Sequence, residues 1–340
     1  MGFERTAPVK PKLAVTMGDP AGIGAEVIVK AFADLDAGLA ADPFIIGSQG
    51  CLELAMQQTG IDLNFIPVAH FDELKSLSGG IGVLDPSEFN VASLRMGEVS
   101  ADCGHAAVSF FETGVRLCQA GDVQGVVTCP INKEAVHAAG YIGDIGHQEI
   151  LARMTGAALT ATMLMTTNLK VAHLSTHKSL AEAVAYVRRP VIVDKLRLTV
   201  ESLKQWGFRQ PRVAVAALNP HGGEGGMLGR EEIDEIAPAV QALREEGMDV
   251  TGPWPADSVF YRAIAGEFDA VLALYHDQGH IAIKVHDFEQ SVTATMGIPF
   301  VRTSVDHGTA FDIAGSNKAD AKGLANAMVT AIDMLKGRLK

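Results

Sequence analysis

The sequence predicts an α/β protein with a largely parallel sheet, and three observations carry that expectation. Short β-rich apolar runs alternate with longer helical patterns from one end of the chain to the other. Midway, Thr160–Met165 and Lys170–Leu174 flank Thr166-Thr167-Asn168-Leu169 and read as an antiparallel hairpin, an interruption that marks a second domain. A length of 340 residues fits two domains or one large one.

Taken in order, the apolar run Leu13–Met17 is the first strand and Ala25–Leu35 the helix after it. Phe44–Gly47 and Ile81–Leu84 are further apolar runs of strand length. The long pattern His105–Ala120 is a helix, Gly125–Cys129 a strand, and Asn132–Ala139 and Gln148–Met154 are helices leading to the hairpin. Beyond it, helix Pro190–Gln205 precedes strand Arg212–Leu218, and helix Glu231–Glu246 precedes strand Asp269–Tyr275; Ala319–Lys336 is the closing helix. No internal repeat, low-complexity tract or flexible linker occurs, so ordered crossings of the chain should join the domains.

Composition narrows the function. A hydrophobic share of 48% and a charged share of 20% are those of a globular protein. No run of about 18 apolar residues occurs, and the first residues lack the basic and apolar regions of a secretory signal, so a cytoplasmic location is expected. Cys51, Cys103, Cys118 and Cys129 form no CxxC and no metal-type spacing, and read as small core residues with free thiols. A net charge of −12 argues against sequence-independent nucleic-acid binding, which depends on Lys and Arg neutralising phosphates. Any anion site must therefore concentrate its few cations locally.

Ligands of open α/β sheets bind beyond the carboxyl ends of strands, and three apolar runs lead to histidine there. Lys170–Leu174 leads to His177, Arg212–Leu218 to His221, and Asp269–Tyr275 to His276. Taken singly, each histidine reads as a strand cap or a local hydrogen-bonding group; jointly, three imidazoles at separate strand ends suit a divalent metal with one position open to a substrate oxygen. The neighbouring Asn219-Pro220-His221-Gly222-Gly223-Glu224-Gly225-Gly226 is dense in glycine, as where backbone approaches a ligand. His173, inside its strand, reads as a packed core histidine. Lys284 and Arg302 are cations among apolar residues, each expected to meet an anion, either a protein carboxylate or a substrate phosphate. Asp257 is either a metal-proximal carboxylate or a helix N-cap. Gly18-Asp19-Pro20-Ala21-Gly22-Ile23-Gly24 sits where a phosphate-cradling loop would, although it is neither GxGxxG nor GxxxxGK[ST] and a plain strand-to-helix turn explains it too. The segment Asp306–Gly315, containing His307, Gly308, Thr309, Ala310 and Asp312, has the small residues to wrap an adenosine; otherwise it is a loop and a short helix ended by Gly315.

The motifs TMGDPAGIGAE (Thr16–Glu26), GHQE (Gly146–Glu149), STH (Ser175–His177), LNPHGGEGG (Leu218–Gly226), GPWPADSVF (Gly252–Phe260), LYHDQG (Leu274–Gly279) and FVRTSVDHGTAFDIAG (Phe300–Gly315) occur in this order. On them the chain resembles the 4-hydroxythreonine-4-phosphate dehydrogenase family of vitamin B6 biosynthesis over nearly its whole length. The resemblance implies an isocitrate/isopropylmalate dehydrogenase-like fold of two α/β/α domains with a cleft between them. The first domain would comprise residues 1–128 and 275–340, on the nucleotide side, and the second residues 129–274. It also implies a homodimer whose metal-binding histidines, His177, His221 and His276, are drawn from both subunits. His147, Gln148, Lys284, Thr293 and Arg302 match the family's substrate-binding positions. Gly18, Asp19 and Gly22, with His307, Gly308, Thr309, Ala310 and Asp312, match the cofactor side. Biosynthetic members of the family usually carry Thr where this chain has Gln148 and Asn where it has Thr293, so the resemblance leaves open related substrates such as 4-phospho-D-threonate and 4-phospho-D-erythronate. Lys284 and Arg302 favour a phosphorylated substrate over the aromatic dihydrodiol of another branch.

The implied chemistry is metal-dependent oxidation of the C3 hydroxyl of a 4-phosphorylated hydroxy acid of the 4-phosphohydroxy-L-threonine type, followed by decarboxylation of the 3-oxo acid. Lys284 assists proton transfer or anchors charge, and Asp277 orients His276 or a water. Zn2+, Mg2+, Mn2+ and Co2+ are all compatible with the site. NAD is expected over NADP because no arginine cluster adjoins the adenosine-loop candidate. Two other classes are consistent with the histidines alone: a metal-dependent phosphohydrolase or lyase, and a catalytically silent sugar-phosphate binding protein.

Overall fold

The computed structural model describes residues 10–35, 40–87, 89–144 and 146–339. In chain order its strands are β1 (Lys12–Thr16), β2 (Asp42–Ile46), β3 (Phe65–Val68), β4 (Ile81–Leu84), β5 (Gly125–Thr128), β6 (Ala161–Thr166), β7 (Leu169–His173), β8 (Val213–Ala216), β9 (Val250–Trp254), β10 (Ala270–Ala273), β11 (Val292–Met296) and β12 (Val301–Val305). The helices are α1 (Gly24–Ala33), α2 (Gln49–Thr59), α3 (Ala101–Gln119), α4 (Lys133–Ala138), α5 (His147–Thr155), α6 (Leu180–Tyr186), α7 (Arg189–Gln205), α8 (Ala237–Glu245), α9 (Ala256–Ile264), α10 (His276–His286) and α11 (Lys322–Leu335). Among the described residues no helix is long and apolar enough to cross a membrane.

The chain divides into two compact units. The first runs to Thr155 and takes in Phe300–Arg302 and His307–Leu335; the second holds Gly156–Pro299, Thr303–Asp306 and the residues from Lys336 on. This differs from the expected boundaries at 128 and 275. Helices α4 and α5 pack on α3 and so stay with the first unit, while α10 packs on β6, β7 and β10 in the second.

In the first unit the strand order is β3-β4-β2-β1-β5, and the pairs β3–β4, β4–β2, β2–β1 and β1–β5 are parallel. Leu13, Ala14 and Val15 of β1 are all fully buried, because helices cover both faces of a parallel sheet, and that is why the strand reads as a continuous apolar run. Helix α3 buries Cys103, Ala107, Phe110, Phe111, Gly114, Val115 and Cys118, a stripe at helical spacing. All four cysteines are buried and unbridged, as the sequence predicts; burial pushes the Cys51 and Cys118 thiols up to about 12 and Cys103 to about 11.

In the second unit the order is β12-β11-β6-β7-β10-β8-β9, with Thr303–Val305 of β12 at its edge. The expected hairpin is present as β6 and β7, turning at Thr167-Asn168, and the antiparallel pairing extends to β11 and β12. These last two strands, rich in Thr and Ser, have no apolar run that marks them in the sequence. From β7 onward the pairs β7–β10, β10–β8 and β8–β9 are parallel. Leu164, Val171, Ala214, Val259, Phe268, Val271 and Ile283 pack together as the core of this unit.

Several predicted elements are shorter than expected. Arg212–Leu218 pairs only over Val213–Ala216, and Asp269–Tyr275 only over Ala270–Ala273. The helix expected at Glu231–Glu246 opens with a π-helical turn, Glu232–Ile236, before α8. Ala319 stays outside the last helix because the Glu26 carboxylate accepts its N–H at 2.8 Å; Asp320 accepts the N–H of Lys322 at 2.8 Å, where α11 begins. Asp257 is not an N-cap: Pro255 holds that position and Asp257 lies exposed in the first turn of α9.

Candidate active site

The three predicted histidines leave the same end of three adjacent parallel strands. His177 follows β7, His276 opens α10 after β10, and His221 follows β8, while β10 pairs with both β7 and β8. All three are exposed. The Nδ1 of His276 donates to Asp277 Oδ1 at 2.7 Å, which fixes the tautomer and leaves Nε2 for a ligand. The donor set therefore has the chemistry of a divalent cation site. It does not close within one chain: among the described residues no three His, Cys, Asp or Glu side chains come together to hold an ion.

Sequence reasoning missed α10, and with it the face carrying His276, His280 and Lys284 at intervals of four residues. The His280 ring stacks on His276 with centroids 3.6 Å apart and planes 10° from parallel, and its Nδ1 donates to the His276 carbonyl at 3.0 Å. Burial, then the neighbouring His276, lowers the His280 pKa. His173 is a core histidine as expected, 2% exposed and 4.6 Å from His280; burial holds it down to about 3, so it is neutral. Lys284 lies 4.0 Å from Asp306, which in turn accepts from Ser291 Oγ at 2.9 Å. Thr293 sits half-buried in β11, paired with Ser304 and Leu164. The i, i+4 spacing His276-x-x-x-His280-x-x-x-Lys284 was the available signal for this face.

The first unit holds the expected cofactor residues, and there two loops nearly 290 residues apart meet. Ile23 N–H donates to the Thr309 carbonyl at 3.2 Å, and a Cβ on Gly22 would lie 3.1 Å from Thr309. Gly18 adopts φ +72°, and a side chain there would strike the Pro130 carbonyl, the acceptor for Asp19 N–H at 2.9 Å. Asp19 is 1% exposed; its Oδ1 accepts from Ala21 N–H at 2.8 Å, while Oδ2 is buried with no partner. Burial pushes its carboxyl up to about 6. His307 donates from Nδ1 to the Gly308 carbonyl at 3.0 Å and keeps a buried Nε2 without a partner. Ala310 has φ +44°, Gly308 and Asp312 are exposed, and residues 311–317 are turns rather than the short helix.

The same unit holds His147, Gln148 and Arg302. Arg302 is 4% exposed and donates from Nη2 to Thr128 Oγ1 at 2.7 Å; burial draws the guanidinium down to about 9, still cationic at neutral pH. His147 opens α5 with its ring edge-on to Phe111, centroids 4.5 Å apart. Its Nε2 is buried without a partner, and burial followed by the Arg302 charge holds its pKa well below the ordinary value. Gln148 is half-buried beside it. Thr128, at the end of β5, escaped the sequence reading because only the return of the chain at Arg302 gives it a role.

Residues 40–331 match the family profile described as pyridoxal phosphate biosynthetic protein PdxA. The chain belongs to the PdxA family. Its relatives include a protein of Symbiobacterium thermophilum named for D-threonate 4-phosphate dehydrogenase activity, 46% identical over 94% of this chain and 95% of the relative. Another is the 4-hydroxythreonine-4-phosphate dehydrogenase of Desulfosudis oleivorans, 43% identical over 95% of this chain and 96% of the relative. A crystal structure of 4-hydroxythreonine-4-phosphate dehydrogenase from Klebsiella pneumoniae superposes with a TM-score of 0.86 at 37% identity, covering 97% of this chain and 99% of that one. This PdxA-family protein is therefore a dehydrogenase of 4-phosphorylated hydroxy acids that uses NAD(P). Membership sets aside the phosphohydrolase, lyase and silent-binder readings.

Proposed function

We propose that this PdxA-family dehydrogenase oxidises the C3 hydroxyl of D-threonate 4-phosphate, with hydride passing to NAD(P)+ and a proton released, and that the resulting 3-oxo acid loses its carboxylate as CO2. The observation that carries the phosphorylated substrate is Arg302, a buried cation beside a neutral His147. Charge-assisted hydrogen bonds from a buried guanidinium are strong and geometrically selective for phosphate. The choice of D-threonate rests on the relative at 46% identity and on Gln148 and Thr293, which depart from the biosynthetic pattern. The relative at 43% supports a second reading, 4-phosphohydroxy-L-threonine.

In this reading Arg302 binds the phosphate, and His147, kept neutral, presents its ring to the same anion without adding charge. Lys284 holds a proton at Nζ, near Asp306, for transfer at the reacting end of the substrate. A divalent ion held by His177, His221 and His276, with the set completed in a homodimer, would supply Lewis acidity at the substrate oxygen. Asp277 and His280 fix the ring of His276. The paired loops at Gly18–Gly24 and His307–Asp312 bind the nucleotide.

The test follows NAD+ and NADP+ reduction by purified protein with Zn2+ or Mn2+ on D-threonate 4-phosphate, D-erythronate 4-phosphate and 4-phosphohydroxy-L-threonine in parallel. The expected result is a kcat/KM for D-threonate 4-phosphate at least about tenfold above the others, a discrimination of about 1.4 kcal/mol. Preference for the hydroxythreonine compound selects the second reading.

A further inference from the structure

The loop that carries His221 is a left-handed turn. His221 (φ 53°, ψ 25°), Gly222 (71°, 29°), Gly223 (80°, 5°), Glu224 (47°, 47°) and Gly225 (66°, 21°) all lie in the left-handed helical region. Glycine enters this region freely, whereas His221 and Glu224 each cost about 1–2 kcal/mol there. Such a run persists only when its surroundings over-determine it.

Glu232 provides that constraint. It opens the π-helical turn, is 3% exposed, and turns its carboxylate back onto the start of the loop. Oε1 accepts the N–H groups of Leu218 at 2.8 Å and Asn219 at 2.7 Å, and Oε2 accepts Asn219 Nδ2 at 2.9 Å. The adjacent Glu231 accepts the same Asn219 amide at 2.7 Å. A Cβ on Gly223 would lie 2.7 Å from Glu232 Oε2, so carboxylate and turn fit only with glycine at that position.

We propose that Glu232 is a positioning residue for His221: its buried carboxylate holds Leu218 and Asn219, and thereby fixes the left-handed turn that presents the His221 imidazole. The proposal rests on the metal-site reading of His221 above, and the two are separable by experiment.

Full-length enzyme is stripped with a chelator. Zn2+ affinity is then measured by competition with a chromophoric chelator, and amide hydrogen exchange over residues 218–228 is followed in the metal-free protein. Glu232→Ala, Glu232→Gln, Gly223→Ala and His221→Ala are compared with the parent. Loss of a residue that orients a ligand weakens metal binding about 10- to 100-fold. Glu232→Ala and Gly223→Ala are expected to show that loss together with faster exchange across the turn, and kcat at saturating Zn2+ should fall while the KM for NAD+ stays unchanged. Glu232→Gln keeps an acceptor for the two backbone N–H groups but sets its amide against that of Asn219, so it should fall between and remains informative if Glu232→Ala does not fold. Unchanged Zn2+ affinity in the Glu232 variants, with His221→Ala weakened, overturns the proposal. If His221→Ala binds Zn2+ normally, the metal reading fails instead; the hold of Glu232 on the turn is then decided by exchange alone, and unaltered exchange in Glu232→Gln and Gly223→Ala refutes it.

Discussion

Replacing Asp19 by asparagine should make the protein more stable at neutral pH. Asp19 is 1% exposed, with one carboxylate oxygen on Ala21 N–H and the other buried without a partner. Its carboxyl is pushed from 3.8 up to about 6 by burial, only partly offset by the Ala21 hydrogen bond and, more weakly, by the nearby Asn132 N–H, which falls short of a hydrogen bond. A rise of that size corresponds to about 3 kcal/mol by which the folded state disfavours the charged form. Because the folded pKa is raised, the relief from protonation is complete below pH 3.8 and is lost as pH rises through 6. Asp19→Asn keeps the oxygen that accepts from Ala21 and removes the charge. It should therefore gain up to about 3 kcal/mol over the parent at pH 7, shrinking toward zero below about pH 4. Urea unfolding of both proteins from pH 4 to pH 8 measures the difference, and NADH titration of the same samples shows whether the charge serves the nucleotide binding proposed for this loop. A variant less stable than the parent at pH 7 would refute the reasoning, since Oδ2 would then have a partner worth more than its desolvation.

Arg302→Met should raise the KM for the phosphorylated substrate by two orders of magnitude or more, since charge-assisted hydrogen bonds contribute about 1.5–3 kcal/mol each. Steady-state kinetics and the thermal shift produced by inorganic phosphate in parent and variant check this, with Arg302→Lys retaining part of the binding. His221→Ala should abolish turnover while circular dichroism and thermal unfolding stay near those of the parent, because the side chain is exposed. His173 is neutral in the fold, held from 6.5 down to about 3, so the unfolded chain takes up its proton first. Its contribution is present above pH 6.5 and lost as pH falls toward 3; His173→Gln should flatten that limb by at most about 5 kcal/mol in acid unfolding curves.

The candidate site residues legible in the sequence were those with a local signature. A short apolar run followed by polar residues and histidine marks the carboxyl end of a buried strand wherever it occurs, so His177, His221 and His276 could be named without knowing their neighbours. Helix α10 was not legible because His276 opens it soon after β10, and its apolar residues Ile281 and Val285 stay exposed instead of forming a buried stripe. The two compact units part elsewhere than the expected domain boundaries for a related reason: α4 and α5 join the first unit through packing on α3, and no change in composition announces it.

What the sequence determined by itself was the alternating α/β class, the buried free cysteines, the three strand-end histidines and the family, all of which depend on residues close in the chain or on motifs in a fixed order. Tertiary structure alone decided that β7, β10 and β8 lie side by side, that Thr309 meets Ile23, that Arg302 reaches Thr128, and that Glu232 grips the loop of His221. It also decided which polar groups lost their water, and so which carry shifted charges, as at Asp19 and Arg302. Pattern and propensity act over a few residues, whereas strand adjacency and desolvation depend on segments brought together across the chain.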